Sequence, residues 1–370
     1  MAQQHLDPTD PTAGAVTGDA LAGYLRAQAT EFLRALRLHR ETGGQAAGAA
    51  EPVDAARALR RSARRISASL HTFRPLLDPD WSEEMRPELA WLSGTLGLEH
   101  ACEARLERLL LALHRLSGAT VLPAQAVDVA VAAGSRATGA ARAATAAVPS
   151  TGGPAHATAT TERGTLTVGA AKAGALLERQ LTLARTRAHS TALQALGSSR
   201  FHAVADKVAV LASEVPLTPA ASATALHPLA AAAEERLTDA VAALPLVTAG
   251  HPYNAEALVH GLSPDPAPHP QDSPWHQVRL LLRLHRYARE VLHGGDAPVD
   301  VRLLTAGQAL NRHRDASEAA AAAAQAARTP RITPATAYAL GVLHADQRHE
   351  VEAARFAFQQ AWLKQTVPAP

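Results

Sequence analysis

Residues 57–65 read RALRRSARR, and residues 276–287 read HQVRLLLRLHRY. The two stretches repeat one spacing of basic residues at an offset of 219 positions, Arg57-x-x-Arg60-x-x-x-Arg64 and His276-x-x-Arg279-x-x-x-Arg283. Downstream, the segments LGLEHA (96–101) and LNRHRD (310–315) follow at an offset of 214 positions. A spacing repeated in this way indicates two helical halves of similar design, joined by loops.

Both stretches predict helices with one cationic and one apolar face, because successive residues turn by about 100°. The first cationic stripe, in an arc of roughly 100°, consists of Arg57, Arg60, Arg61, Arg64 and His71, with Arg65 just beside it. The second cationic stripe consists of His276, Arg279, Arg283, Arg286 and Tyr287. One interpretation is a solvated face, but solvated faces usually mix charges of both signs. Like charges three or four positions apart repel each other, so the two stripes favour the binding of an anion.

The composition restricts the fold class and the compartment. The 370 residues include 36 Lys and Arg against 34 Asp and Glu, so affinity for a polyanion must come from the placement of charge. Hydrophobic residues make up 47% and aromatic residues 4%, and strand-like alternation is nearly absent, which predicts an all-α protein. A single cysteine, Cys102, excludes an internal disulfide and a cysteine-based zinc site. Without a signal-like N-terminus or a run of 18 apolar residues, we expect a cytoplasmic protein that does not span a membrane.

The chain divides into a tail and one helical domain. Residues 1–17 are polar and predict a disordered tail, and residues 18–366 predict the domain. Its first half covers about 18–118, an Ala/Thr/Gly-rich insertion covers about 119–174, and the remainder runs from 175 to 366. Regular helices are predicted to resume at Ala175, and Ser82 is predicted to cap an earlier helix.

Several of these motifs resemble one known family. Residues 53–77, with Arg64-Arg65 and TFRPLL at 72–77, are similar to the first signature helix of the CHAD domain, the conserved-histidine α-helical domain. Residues 81–97 continue the resemblance, and 175–219 are similar to the middle of the family. The second signature is HQVR at 276–279, then Arg283, Arg286-Tyr287-Ala288 and HRDA at 313–316. The resemblance covers about residues 19–365 and leaves 119–174 unmatched.

The resemblance implies two pseudo-symmetric antiparallel helical bundles that share a basic central cavity and bind inorganic polyphosphate. It implicates Arg60, Arg64, Arg65, Arg74, His276, Arg279, Arg283, Arg286, Tyr287 and His313. The first half departs from the family pattern, because Arg57 replaces a histidine, Ser67 a basic residue and Ala101 an acidic residue. Arg57, Arg61 and His71 keep this half cationic, so we include them among the candidate polyphosphate-binding residues.

The function predicted from the sequence is the binding of polyphosphate, or of a similar polyanion, without catalysis. No phosphate-binding loop, nucleophile elbow or His-rich metal motif occurs in the sequence, so we expect no catalytic residue, no metal and no cofactor. Double-stranded nucleic acid needs a convex basic surface, so it is not the expected partner. The alternative is a helical protein-interaction scaffold that has partly lost polyphosphate binding. Association with polyphosphate granules would follow from the first function.

Overall fold

The computed structural model describes residues 16–43, 50–118, 154–251, 254–262, 269–294 and 299–363. Within these ranges the protein is helical, and its only β-type pairing is an isolated antiparallel bridge between Leu77 and Leu217. The α-helices are α1 (Gly18–Gly43), α2 (Ala50–Thr72), α3 (Pro79–Thr95), α4 (Leu98–Ser117), α5 (Pro154–Leu196), α6 (Ser199–Ser213), α7 (His227–Ala242), α8 (Leu246–Ala249), α9 (Ala255–Gly261), α10 (Ser273–His293), α11 (Val301–Ala327) and α12 (Pro334–Leu363). The prediction of an all-α fold is confirmed.

The predicted resumption of helix at Ala175 is wrong, because α5 begins at Pro154. The buried positions Ala170, Ala173, Leu177 and Leu181 follow helical spacing on α5 and pack against α4, α11 and α12. Alanine carries this periodicity with little apolar area, so the composition resembled that of a linker. The predicted tail up to residue 15, and residues 119–153 of the predicted insertion, lie outside the described residues.

The start of α3 also differs from the prediction, because Asp78 and not Ser82 caps this helix. The Asp78 Oδ1 accepts a hydrogen bond of 2.8 Å from the Trp81 backbone N–H, and Pro79 occupies the first helical position. Proline lacks an N–H, so it fits a position whose N–H has no partner inside the helix. Ser82 lies inside the helix, where its hydroxyl donates to the Pro79 carbonyl at 3.1 Å.

The two helices that carry the repeated basic spacing, α2 and α10, each pack against two neighbouring helices. Helix α2 packs against α1 and α3, and α10 packs in the same way against α7 and α11. The two repeated helices also contact each other, where Ala68 of α2 lies against Leu284 and Tyr287 of α10. This apolar contact holds the two cationic stripes side by side.

Three apolar cores support this arrangement. The largest joins α1, α2, α3 and α6 around Phe32, Phe73 and Phe201, all almost completely buried. A second core joins α7, α10, α11 and α12 around Trp275 and Phe358. The third joins α4, α5, α11 and α12, so α4 shares its core with helices from the end of the chain. Helices on both sides of the boundary predicted near residue 118 therefore contribute to one core. No helix in the described ranges combines the length and the apolar character needed to cross a membrane.

Candidate functional site

A groove between α2, α3 and α10 is lined by members of both cationic stripes. The groove encloses a volume of about 660 Å³. Arg64 and His71 of α2, Arg86 of α3 and Arg283 of α10 give it a basic lining, and Glu83 contributes a carboxylate. The stripes converge because the Ala68 contact brings the faces of α2 and α10 together.

Four half-buried arginines lie close enough to shift one another's pKa values and are called here the central arginines: Arg60, Arg64, Arg279 and Arg283. Arg64 and Arg283 line the groove. None of the four forms an ion pair with a carboxylate of the described residues. Burial, together with the neighbouring Arg60 and Arg283, lowers the pKa of Arg64 to about 9. Burial and Arg314 lower the pKa of Arg279 to about 10, and the pKa values of Arg60 and Arg283 are lowered in the same direction. All four remain charged at neutral pH, so they form a concentrated positive field whose like charges destabilise one another.

Arg60 is held in place by a break between two helices. The Gly97 N–H bonds to the Gly94 carbonyl at 3.0 Å, so it does not bond to the Ser93 carbonyl as a continuous helix would require. The Ser93 carbonyl instead accepts a 2.9 Å hydrogen bond from the Arg60 Nε. A side chain at position 97 would occupy this space, because a Cβ there would lie 2.2 Å from the Arg60 guanidinium. The glycine therefore makes room for the arginine.

Arg279, which stands 219 positions after Arg60, is held by a side chain. Its Nε donates a 2.9 Å hydrogen bond to the Asn311 Oδ1. Asn311 stands 214 positions after Gly97, and it lies on α11, which continues without a break through this region. Both arginines thus have an uncharged acceptor at their Nε, which orients the guanidinium without neutralising it.

Two carboxylates pair with arginines that flank the central arginines: Glu83, which lines the groove, and Glu290, which is not part of its lining. Glu83 pairs with the Arg74 Nε at 2.9 Å and with the Arg86 Nη1 at 3.2 Å. Glu290 accepts a 2.7 Å hydrogen bond from the Arg65 Nε and lies 3.8 Å from the Arg286 Nε. These flanking arginines have carboxylate partners, in contrast to the central arginines.

Comparisons with known proteins identify the family of this chain. The CHAD domain family matches residues 27–320, a narrower range than the predicted 19–365. The chain belongs to the CHAD-domain family. A solved structure, PptA from Streptomyces chartreusis, is 69% identical, with a TM-score of 0.73. The match covers 95% of this chain and 100% of that chain. No curated protein matches the chain.

Several residues predicted for the CHAD site lie outside the central part of the groove. His313 is 1% exposed, stacks on Trp275 and lies 3.6 Å from Asp272, so its side chain belongs to the core. Arg61 is exposed, and Arg74 is exposed and paired with Glu83. Arg57 is exposed and does not line the groove, and its Nη2 lies 3.4 Å from the His100 Nδ1.

The remaining predicted residues flank the central arginines. The Arg65 and Arg286 guanidinium carbons lie 5.5 Å and 5.1 Å from the centre of the Tyr287 ring. His71 lies 3.3 Å from the Arg86 Nη2, and burial together with Arg86 lowers its pKa. Burial also lowers the pKa of His276, which favours neutral imidazoles at both positions at neutral pH.

Two further arginines near the candidate site were missed by the reasoning from sequence. Arg314 is close enough to lower the pKa values of Arg60 and Arg279, and it pairs with Asp315. It belongs to the repeated LNRHRD segment, which could have identified it. Arg86 lines the groove but lies on α3, which carries no cationic stripe, so its place follows only from the packing of α3 on α2.

Proposed function

We propose that this CHAD-domain protein binds inorganic polyphosphate without turning it over. One observation supports this function above all: four half-buried arginines from both halves lie close enough to shift one another's pKa values, two of them line the groove, and none has a carboxylate ion-pair partner in the described part of the chain. Such a cluster destabilises the free protein, and a dense anion would relieve the repulsion.

Polyphosphate matches this cluster chemically. Guanidinium groups can donate two parallel hydrogen bonds to phosphate oxygens, and a phosphoanhydride chain presents about one negative charge per unit. Neighbouring units share a bridging oxygen, so several charges fit within the space of four guanidinium groups. Binding also releases counterions, which adds a favourable, salt-dependent contribution to affinity.

The groove offers little support for catalysis of phosphoryl transfer. That reaction usually needs carboxylates that hold Mg²⁺ against the phosphates. Glu83, the carboxylate in the groove lining, already contacts two arginines, and the nearby Glu290 contacts Arg65 and Tyr24. We therefore propose binding alone.

The alternative, a protein-interaction scaffold that has lost its ligand, was suggested by the departures at Arg57, Ser67 and Ala101. Arg60 and Arg64 of that same half remain without carboxylate partners and face Arg283, which supports a retained ligand site. The recessed position of the cluster also favours a thin, flexible polyanion over double-stranded nucleic acid.

The proposal is tested by measuring the affinity for long-chain polyphosphate at 50 mM and 200 mM salt. We expect the logarithm of the affinity to fall with the logarithm of the salt concentration, with a slope of about 0.7 per phosphate contacted, as for other single strands. Absence of binding, or binding that salt does not weaken, would contradict the proposal. In a parallel assay with Mg²⁺ we expect no release of orthophosphate above background, and metal-dependent release would overturn the claim of binding alone. In cells the proposal predicts enrichment at polyphosphate granules.

A further inference from the structure

A histidine of α2, His71, belongs to the lining of the groove. Its side chain is exposed, so a ligand in the groove can reach the imidazole. The Arg86 Nη2 lies 3.3 Å from the His71 Nδ1. A guanidinium group can only donate hydrogen bonds, so the Nδ1 is the acceptor and carries no proton. The contact with Arg86 therefore favours the neutral imidazole, with its proton on Nε2.

The charged groups that face His71 come from three neighbouring elements and are mostly positive. They are Glu83 and Arg86 on α3, Arg236 on α7, and Arg74 in the short 3₁₀ helix Arg74–Leu76. Partial burial, together with the charges of Arg86, Arg236 and Arg74, lowers the pKa of His71, and Glu83 opposes this effect. The free protein therefore keeps His71 neutral at neutral pH.

The other helices packed against α2 add no carboxylate to the groove lining in the described part of the chain. Arg283 is the charged residue that α10 contributes to the lining, and α1 contributes no residue to it. Glu83 is already paired with Arg74 at 2.9 Å and with Arg86 at 3.2 Å. A phosphate in the groove would therefore bring new negative charge close to His71.

We propose that His71 takes up a proton from solvent when polyphosphate enters the groove, so that binding strengthens as the pH falls, an inference that rests on the proposed function. A phosphate beside His71 adds negative charge to a cationic lining, which favours the imidazolium form. Once the Nδ1 is protonated, it can no longer accept a hydrogen bond from Arg86. Both groups then donate to phosphate oxygens, so one proton adds a positive charge and also releases the Arg86 donor for the ligand.

The sign of the pH dependence follows from the difference between the two states. The pKa of His71 is higher in the complex than in the free protein, so the complex binds more protons. Affinity therefore rises as the pH falls through the pKa of the complex, and it levels off below the pKa of the free protein. Arginines do not contribute near pH 6.5, since even Arg64, with a pKa of about 9, is protonated there in both states.

The experiment is isothermal titration calorimetry with long-chain polyphosphate at fixed salt. Titrations at pH 6.5 in two buffers of different ionisation enthalpy measure the number of protons taken up on binding. We expect the wild-type protein to take up about half a proton at this pH. Its affinity should rise by about fivefold from pH 8 to pH 6.

Two substitutions of His71 separate proton uptake from a structural role. His71→Gln should remove most of the proton uptake and most of the pH-dependent rise in affinity. His71→Lys is charged at both pH values, so its affinity should change by less than about twofold between pH 8 and pH 6. The matched control is His202→Gln, a change of an exposed histidine on α6 outside the groove lining, which should behave like the wild type.

Wild-type binding without proton uptake, or equal uptake by the wild type and His71→Gln, would overturn the inference while leaving polyphosphate binding in place. A rise in the affinity of His71→Lys equal to that of the wild type would also overturn it, because another group would then be the source. Failure of the wild-type protein to bind polyphosphate at either pH is a separate result, which overturns the proposed function and this inference with it. Since His71 is exposed, both substitutions leave the buried core unchanged.

Discussion

Helices α2 and α10 are built on one plan but differ in what surrounds the shared positions. Arg60 and Arg64 correspond to Arg279 and Arg283 at an offset of 219, and all four lack carboxylate partners in the described ranges. Away from this centre the correspondence ends: His71 on α2 is matched by Glu290 on α10. The comparison shows that the repeated design keeps the central arginines and varies the residues that follow them along each helix.

The supports of the corresponding arginines differ as well. Arg60 bonds to a backbone carbonyl that a helix break leaves available near Gly97, whereas Arg279 bonds to the Asn311 side chain on an unbroken helix. Two different local structures thus give each guanidinium the same kind of neutral acceptor. Orientation without neutralisation is the common feature, and it suits a site that receives a strongly charged ligand.

The buried polar residues near the two helices also differ in charge. Behind α2 the buried polar residues are serines and threonines, such as Ser62, Ser69 and Thr72. Behind α10 lies a buried ionic network in which Asp272 accepts hydrogen bonds from Arg348 at 2.7 Å and Arg355 at 2.7 Å. The following predictions test how far this difference extends.

The largest effect is expected for Leu70→Asp on α2. Leu70 is completely buried, so an unpaired carboxylate there should lower the free energy of unfolding by several kcal/mol and unfold the bundle. The corresponding residue on α10 is Arg289, a half-buried side chain that pairs with Asp300 at 3.1 Å. Arg289→Met should cost about 1 kcal/mol or less in denaturant unfolding. A tolerated Leu70→Asp would show that this face of α2 is not core.

The buried network predicts a loss of stability in acid. Burial lowers the pKa of His313 to about 4, despite the attraction of Asp272, whereas an unfolded histidine titrates near 6.5. The unfolded chain therefore binds a proton that the folded protein does not, and stability falls as the pH drops from above 6.5 towards 4. The loss should reach about 3 kcal/mol between pH 7.5 and pH 4.

Chemical denaturation of His313→Gln at both pH values checks this assignment. The variant should lose most of that pH-dependent difference, although its stability at pH 7.5 is expected to be lower than that of the wild type. His114→Gln, a change of an exposed histidine on α4, should leave the difference unchanged. An identical pH dependence in wild type and His313→Gln would exclude His313 as its source.

Charge reversal tests whether both halves build one site. Arg60→Glu/Arg64→Glu and Arg279→Glu/Arg283→Glu should each lower polyphosphate affinity by about a hundredfold, because two attractive charges become repulsive. Thermal stability should stay close to that of the wild type, since repulsion among the arginines is relieved. Arg200→Glu, outside the groove lining, is the control for net charge. If only the α10 pair matters, the first half has left the site and the shared-groove interpretation is wrong.

The smallest effects on polyphosphate binding are expected for the residues that position Arg60 and Arg279. Gly97→Ala places a Cβ where the Arg60 guanidinium lies, and Asn311→Ala removes the acceptor of Arg279. Each should weaken polyphosphate binding by about threefold, the equivalent of losing one modest hydrogen bond. Gly94→Ala is the matched control, because a Cβ there meets no atom within 4 Å. Equal binding by Gly97→Ala and Gly94→Ala would show that the position of Arg60 does not depend on the glycine.

Much of the fold followed from local patterns, and the errors have identifiable causes. The apolar periodicity of α2 and α10 predicted their buried faces, and Leu59, Ile66 and Leu70 are completely buried as expected. The long helix α5 was predicted too short because alanine provides helical periodicity without a strong apolar signal. His313 is predicted as a site residue from a motif, and its burial depends on Trp275 and Asp272, which contact it from distant positions in the sequence.

The sequence by itself determined the helical class, the repeated design and the two helices that bring arginines to one site. These properties depend on the helical period of 3.6 residues, which is a local feature of the chain. Only the tertiary structure decided which arginines stay without a counter-charge. That outcome depends on partners far along the chain, since Glu290 lies 225 positions from Arg65, and Glu318 lies 213 positions from Arg105. Charge neutralisation acts through space over a few ångströms, so it becomes readable only once the helices are packed.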